Sequence, residues 1–151
     1  MYNTDFLHKL LGIEKLRVTQ SDFIGEEQLH LSVESSLAVA ACPDCGQISE
    51  QVHDFSEEQM IRDLPIAERR CYLGYRARRF ECQHCRKTFV ERVAWKRLGV
   101  NYTLRYEKQI YQRARKEAIT QVAEDEGLSE EAVQAIFEYW AKKRSRHVAT
   151  H

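Results

Sequence analysis

The sequence predicts an α+β chain of two unlike parts, and three observations carry that reading. Ahead of residue 82 several stretches alternate apolar with polar residues, the period of half-buried strands. Two C-x-x-C knuckles punctuate this region, Cys42-Pro43-Asp44-Cys45-Gly46 and Cys82-Gln83-His84-Cys85-Arg86. From Thr103 onward the pattern turns helical, with no proline and a single glycine. The expected architecture is a small zinc-ribbon-like β-module with an N-terminal helix over residues 1–97, followed by a three-helix, helix-turn-helix domain over residues 98–151.

Each element has its own warrant. Phe6, Leu7, Leu10 and Leu11 lie at helical spacing behind two candidate N-caps, Asn3 and Thr4, and Gly12 is placed to end that helix. Residues 13–23 read as a strand and Gly25-Glu26-Glu27-Gln28 as a turn. Leu29, Leu31 and Val33 then alternate with His30, Ser32 and Glu34, and Leu37, Val39 and Ala41 carry the alternation into the first knuckle. Between the knuckles lie 36 residues, with strand character at 59–62, a break at Pro65 and a longer strand over 69–80. In that longer strand Tyr72, Gly74, Arg76, Arg78 and Phe80 share one face, and Cys71, Leu73, Tyr75, Ala77 and Arg79 the other. Two strands between two cysteine turns predict a ribbon with an enlarged hairpin. Beyond a boundary near residues 97–101, Leu104, Tyr106, Glu107, Ile110, Tyr111 and Ala114 mark a first helix. A second covers 119–126, Gly127-Leu128-Ser129 breaks it, and a third covers 130–143.

The knuckles dictate the metal chemistry. Two residues between thiols let both sulfurs of a tight turn face one ion, and four thiolates close a tetrahedral Zn²⁺ shell with no open position. Cys42, Cys45, Cys82 and Cys85 are therefore the expected ligands of a structural zinc. A dithiol redox pair, two unrelated cysteine turns and an iron site are the competing readings. His53 and His84 are not needed as ligands, and Cys71, mid-strand on an apolar face, is expected to be a buried free thiol.

Composition sets the outer bounds. With 151 residues the chain fits one ordinary domain or two small ones, and 43% hydrophobic residues suffice for a core. No apolar run reaches membrane-spanning length, and the N-terminus lacks the features of a secretory signal. Five cysteines without a signal favour metal binding over disulfides and point to a reducing cytoplasm. Formal charge is zero overall but unevenly placed: −8 over residues 1–60, +7 over 61–97 and +1 over 98–151. The basic middle suits phosphate contact as well as it suits a solvated strand face. Arg76, Arg78, Arg79, Arg86 and Lys87 are the candidate phosphate contacts.

Residues 120–136 have helix-turn-helix spacing. Ala123 is small where two helices cross, Gly127 suits a left-handed turn, and Val122, Leu128, Val133 and Ile136 fall at core positions. Ser129 can cap the third helix, whose first turn carries Glu130 and Glu131. Gln134 and Glu131 are candidate base contacts, while Lys142 and Lys143, with Arg144 and Arg146, are candidates for the backbone. Two features depart from a DNA-reading helix: Glu126 occupies a usually apolar position, and the third helix begins with two glutamates. No Gly-rich phosphate loop, Ser/His/Asp arrangement or carboxylate triad is present, so no catalytic residue is expected and no small-molecule substrate.

The order of parts resembles the N-terminal half of transposases of the ISL-three insertion-sequence family. The resemblance rests on Cys42-Pro43-Asp44-Cys45-Gly46, Arg62-Asp63-Leu64-Pro65, Arg78-Arg79-Phe80-Glu81-Cys82, Thr88-Phe89 and the helix-turn-helix, across roughly residues 5–143. In that family these parts resemble the region that binds DNA ends, ahead of a ribonuclease-H-like catalytic domain with three metal-binding carboxylates. The chain ends at His151, so the resemblance implies DNA binding without catalysis. The expectation is a zinc-stabilised protein of double-stranded DNA, either a fragment or a stand-alone regulator, with a homodimer or a longer transposase as possible partners and no membrane. The alternative is a zinc-stapled protein-interaction or oligomerisation module.

Overall fold

The computed structural model describes residues 4–149. Their elements run α1 (Thr4–Leu11), β1 (Leu16–Ile24), β2 (Gln28–Ser35), β3 (Ala40–Ala41), β4 (Ile48–Ser49), β5 (Val52–Phe55), β6 (Gln59–Ile66), β7 (Arg69–Tyr75), β8 (Arg78–Glu81), β9 (Thr88–Val90), α2 (Leu104–Ala114), α3 (Ile119–Glu126) and α4 (Glu130–Ala149). The α+β class agrees with the sequence reading. The chain divides into two compact units between Thr103 and Leu104.

The first unit is built on a four-stranded sheet of order β1-β2-β7-β6, parallel only at β2–β7. Its register explains its core. Leu29, Leu31 and Val33 of β2 stand opposite Cys71, Leu73 and Tyr75 of β7, so six apolar side chains share one face. Ile61 of β6 joins at Leu73. Leu11 of α1, with Ile13, Leu16, Val18 and Trp95, completes this buried cluster. The helix ends where Gly12 takes φ 66° and its N–H donates to the His8 carbonyl at 3.0 Å. Asn3, one of its two candidate caps, lies outside the described residues. Cys71 is fully buried in the cluster, as a thiol outside any disulfide.

Two expectations about the strands need correcting. The alternation of β2 does not continue through Leu37 and Val39: the strand ends at Ser35, and only Ala40–Ala41 pairs before the first knuckle. Nor is 69–80 one strand. β7 ends at Tyr75 in the four-stranded sheet, and β8 starts at Arg78 in a separate sheet of order β5-β8-β9. The switch is pinned at Ala77, whose N–H donates to Ser56 Oγ at 2.8 Å and whose carbonyl accepts from Ser56 N–H at 2.8 Å. The β6–β7 hairpin therefore belongs to the larger sheet, not to the ribbon. Alternation looks the same on both sides of such a switch, because it reports which face is covered and not by which sheet.

Residues 98–103 also fold with the first unit, beyond the expected boundary. Arg62 N–H donates to the Asn101 carbonyl and Thr103 N–H to the Arg62 carbonyl, each at 2.9 Å, and Thr103 Oγ1 donates to the buried Asp63 Oδ1 at 2.7 Å. The Arg62-Asp63 pair is thus a structural latch of β6.

The second unit holds α2, α3 and α4, near the bounds expected, with α4 extending to Ala149. Ile110, Val122, Val133 and Ile136 are buried there, and Leu128 is half-buried. Gly127 takes φ 67° and ψ 33°, and Leu128 N–H reaches back to the Ala123 carbonyl at 3.0 Å, which closes α3 in a left-handed cap. Ser129 Oγ accepts from Ala132 N–H at 3.1 Å and caps α4. Glu126 is explained by its neighbours: Tyr106 Oη donates to its Oε1 at 2.9 Å and Arg113 lies 3.7 Å away. A carboxylate supplied with a hydroxyl donor and a guanidinium is tolerated where an apolar side chain would otherwise be expected. No helix among the described residues is long and apolar enough to cross a membrane.

Candidate metal centre and nucleic-acid interface

Two short hairpins present the cysteines. In the first, Ala40 and Ala41 pair with Ser49 and Ile48; in the second, Phe80 and Glu81 pair with Phe89 and Thr88. The turns between are matched bond for bond. Cys42 N–H donates to Gln47 and Cys82 N–H to Lys87, both at 2.9 Å, while Gly46 and Arg86 donate back to the Cys42 and Cys82 carbonyls, both at 2.8 Å. Each turn needs a left-handed residue after its second cysteine, met by Gly46 at φ 76° and Arg86 at φ 62°.

The turns bring the Sγ atoms of Cys42, Cys45, Cys82 and Cys85 within 4.8 Å of one another. Cys45 and Cys82 sulfurs are 3.6 Å apart. A tetrahedron with Zn–S bonds of about 2.3 Å has edges of about 3.8 Å, so these residues fit a Zn(Cys)₄ centre. The donor set agrees: four thiolates are soft ligands that select zinc or iron over hard cations. Without a cation so many thiols cannot ionise together. Cys82 is drawn down to about 7, chiefly by the Cys85 backbone N–H, while Cys85 is pushed up to about 12 by its hydrogen bonding with Cys45. The zinc is structural. His53 and His84 are exposed and stand outside the sulfur cluster.

Around the centre the apolar core is thin. Cys42, Phe80, Cys82 and Phe89 are its buried members, with Ala40 and Cys85 against them. Phe80 and Phe89 stack with centroids 5.9 Å apart. Ser49 Oγ ties the two hairpins by donating to the Glu81 carbonyl at 2.5 Å. A core this small needs the ion as a staple.

The candidate phosphate contacts separate into two groups. Arg76, Arg86 and Lys87 are exposed and form no ion pair or hydrogen bond through their side chains among the described residues. Arg78 is engaged within the protein. Its Nε and Nη2 donate to Glu91 at 2.9 and 2.6 Å, and Nη2 also donates to the Leu37 carbonyl at 2.7 Å. Glu91 is 4% exposed and also accepts from Ser35 Oγ at 3.2 Å. This bidentate pair fastens the end of β2 to the ribbon, and the hydrogen bonds to Glu91 hold Arg78 firmly charged. Arg79 is exposed but grips Asp54 through both Nε and Nη2, which holds Asp54 below the usual carboxylate range. Glu91 and Asp54 are the partners that sequence reasoning missed. Asp54 pairs with Arg79 across neighbouring strands, a relation visible only once β5 and β8 are aligned.

In the second unit, Glu131 is exposed and Gln134 Nε2 donates to Glu138 Oε1 at 2.9 Å. Lys142 is exposed, and Lys143 lies over the Trp140 ring at 5.1 Å. Arg113, the hub of the α2–α3 corner, pairs with Glu117 and Asp125 at 2.8 and 2.7 Å.

Comparison with known proteins fits this geometry. A family model described as the zinc-finger of transposase IS204/IS1001/IS1096/IS1165 matches residues 38–85. A second, the helix-turn-helix domain of transposase family ISL3, matches residues 91–141. A transposase for insertion sequence element IS1001 from Bordetella parapertussis is 36% identical over 67 residues, which are 44% of this chain and 16% of that protein. The match thus spans about a sixth of the relative's length. No solved structure matches.

Proposed function

We propose, from the match of both a zinc-finger and a helix-turn-helix model of ISL3-type transposases to this chain, that it binds double-stranded DNA as the end-recognising part of a transposase. Its role is binding: the zinc holds the ribbon in shape and takes no part in bond breaking. The observation that carries this reading is the second knuckle. There Arg86 and Lys87, both exposed and without ion pairs among the described residues, follow directly on a zinc ligand that fixes their backbone. Arg76, at the switch between sheets, adds a third free cation on the same unit. Cations on a rigid, metal-held turn lose little entropy when they meet phosphate.

Binding to duplexes that carry terminal inverted repeats, followed by anisotropy at rising salt, tests it. The expected outcome is affinity that falls linearly in log–log form, with the slope shallower by about 0.9 for each of Arg76, Arg86 and Lys87 replaced by glutamine. Absence of binding at low salt, or binding indifferent to salt, sinks the proposal.

A protein-interaction module is the second reading, and the exposed carboxylates of Glu124, Asp125, Glu130 and Glu131 favour it. Charge reversal at Arg76, Arg86 and Lys87 separates the two. A DNA-binding protein loses duplex affinity, whereas an interaction module keeps its partner.

A further inference from the structure

The second unit inverts the charge that a helix-turn-helix needs. In that motif the first turns of the second helix approach base edges. Here the first half of α4 carries Glu130, Glu131 and Glu138, and the exposed Glu124 and Asp125 of α3 lie just ahead of it in the chain. Arg113, on the same unit, is already engaged with Glu117 and Asp125. Gln134, the neutral polar side chain best placed to read a base, is held by Glu138. A phosphate backbone brought to this end meets carboxylates, which repel it.

The opposite end of the same helix is different. A groove of about 590 Å³ opens between α2 and the last turns of α4, lined by Lys108, Lys143, Arg144 and Arg146 over Tyr111 and Trp140. Among the described residues no carboxylate lines it. The Nζ atoms of Lys108 and Lys143 stand 5.4 and 5.1 Å from the Trp140 ring centre, so one indole seats two ammonium groups. None of the four cations forms an ion pair among the described residues. Lys142 is exposed but does not line the groove.

We propose that this unit meets DNA through the α2–α4 groove, which takes the phosphate backbone of a duplex, and not through the N-terminal half of α4. The proposal rests on the DNA-binding reading above. Burial selects backbone over bases: Trp140 and Tyr111 are 9% and 8% exposed, too covered to stack on a base and suited to positioning the cations above them. Four cations over an apolar floor, without anionic neighbours in its lining, match a line of phosphates.

The test compares two variants of the full zinc-loaded chain. Replacing Lys143, Arg144 and Arg146 by glutamine is expected to weaken binding at least tenfold at about 0.1 M salt, equally on specific and unrelated duplexes, with a salt slope shallower by about 0.9 for each cation removed. Replacing Glu130 and Glu131 by glutamine is expected to leave affinity unchanged or raise it. Circular dichroism checks that both variants keep their helices, and a Lys143→Arg variant keeps wild-type binding if charge is what counts. Unchanged affinity and slope in the triple variant, while the wild type remains salt-dependent, overturns the groove but leaves DNA binding standing. A loss of specific binding in the glutamate variant also overturns it. A triple variant that keeps duplex affinity but no longer binds a poly-glutamate peptide assigns the groove to an acidic protein instead. A wild-type chain that binds no duplex at any salt fails the broader reading first.

Discussion

The two knuckles share one backbone and differ in nearly everything hung on it. Both turns make the same pair of hydrogen bonds and hand two sulfurs to one centre. Their hairpins are unequal. The inward pair of the first is Ala40 and Ser49, and that of the second is Phe80 and Phe89. The first hairpin stands in a sheet of two strands, whereas β8 and β9 are joined by β5. One half therefore supplies apolar bulk while the other leans on it through Ser49 and the shared ion. The left-handed position differs as well. Gly46 meets the backbone's demand at no steric cost, whereas Arg86 meets it against its own preference, at a cost of about 1 kcal/mol.

The largest test removes the symmetry altogether. Cys82→Ser should abolish stoichiometric zinc by elemental analysis and unfold the ribbon, since its core is too small to stand alone. Retention of a full zinc equivalent would show that three thiolates suffice. Next, Phe80→Ala should cost about 3–5 kcal/mol in urea unfolding, against about 1 kcal/mol for Ser49→Ala. Equal losses would mean that bulk is shared between the hairpins. Smallest and sharpest is the exchange at the left-handed site. Gly46→Ala should destabilise by about 1 kcal/mol, and Arg86→Gly should stabilise by up to about that amount while weakening DNA binding. An Arg86→Gly chain that gains stability and binds duplex unchanged would remove Arg86 from the interface.

Much of this was legible in the residues. The cysteine spacing named four ligands and the structure clusters them. Gly127 and Ser129 announced the break and cap that set the helix bounds. What stayed hidden depends on distant pairing. The apparent strand 69–80 is two strands because Ser56, twenty-one positions before Ala77, holds the turn. Arg78 read as a free cation because Glu91, thirteen positions away, gives no local signal of facing it. A left-handed arginine is invisible to any pattern of polarity.

The strand order has a consequence for the chain as it is made. β7 ends at Tyr75, so every strand of the four-stranded sheet has left the ribosome before Cys82 does. At usual synthesis rates the forty residues from Cys42 to Cys82 take roughly 2–8 s. Through that interval Cys42 and Cys45 wait without their partner thiols. The four thiols are therefore complete once Cys85 is out, while Trp95 and the 98–103 segment that finish the core of the larger sheet have still to follow.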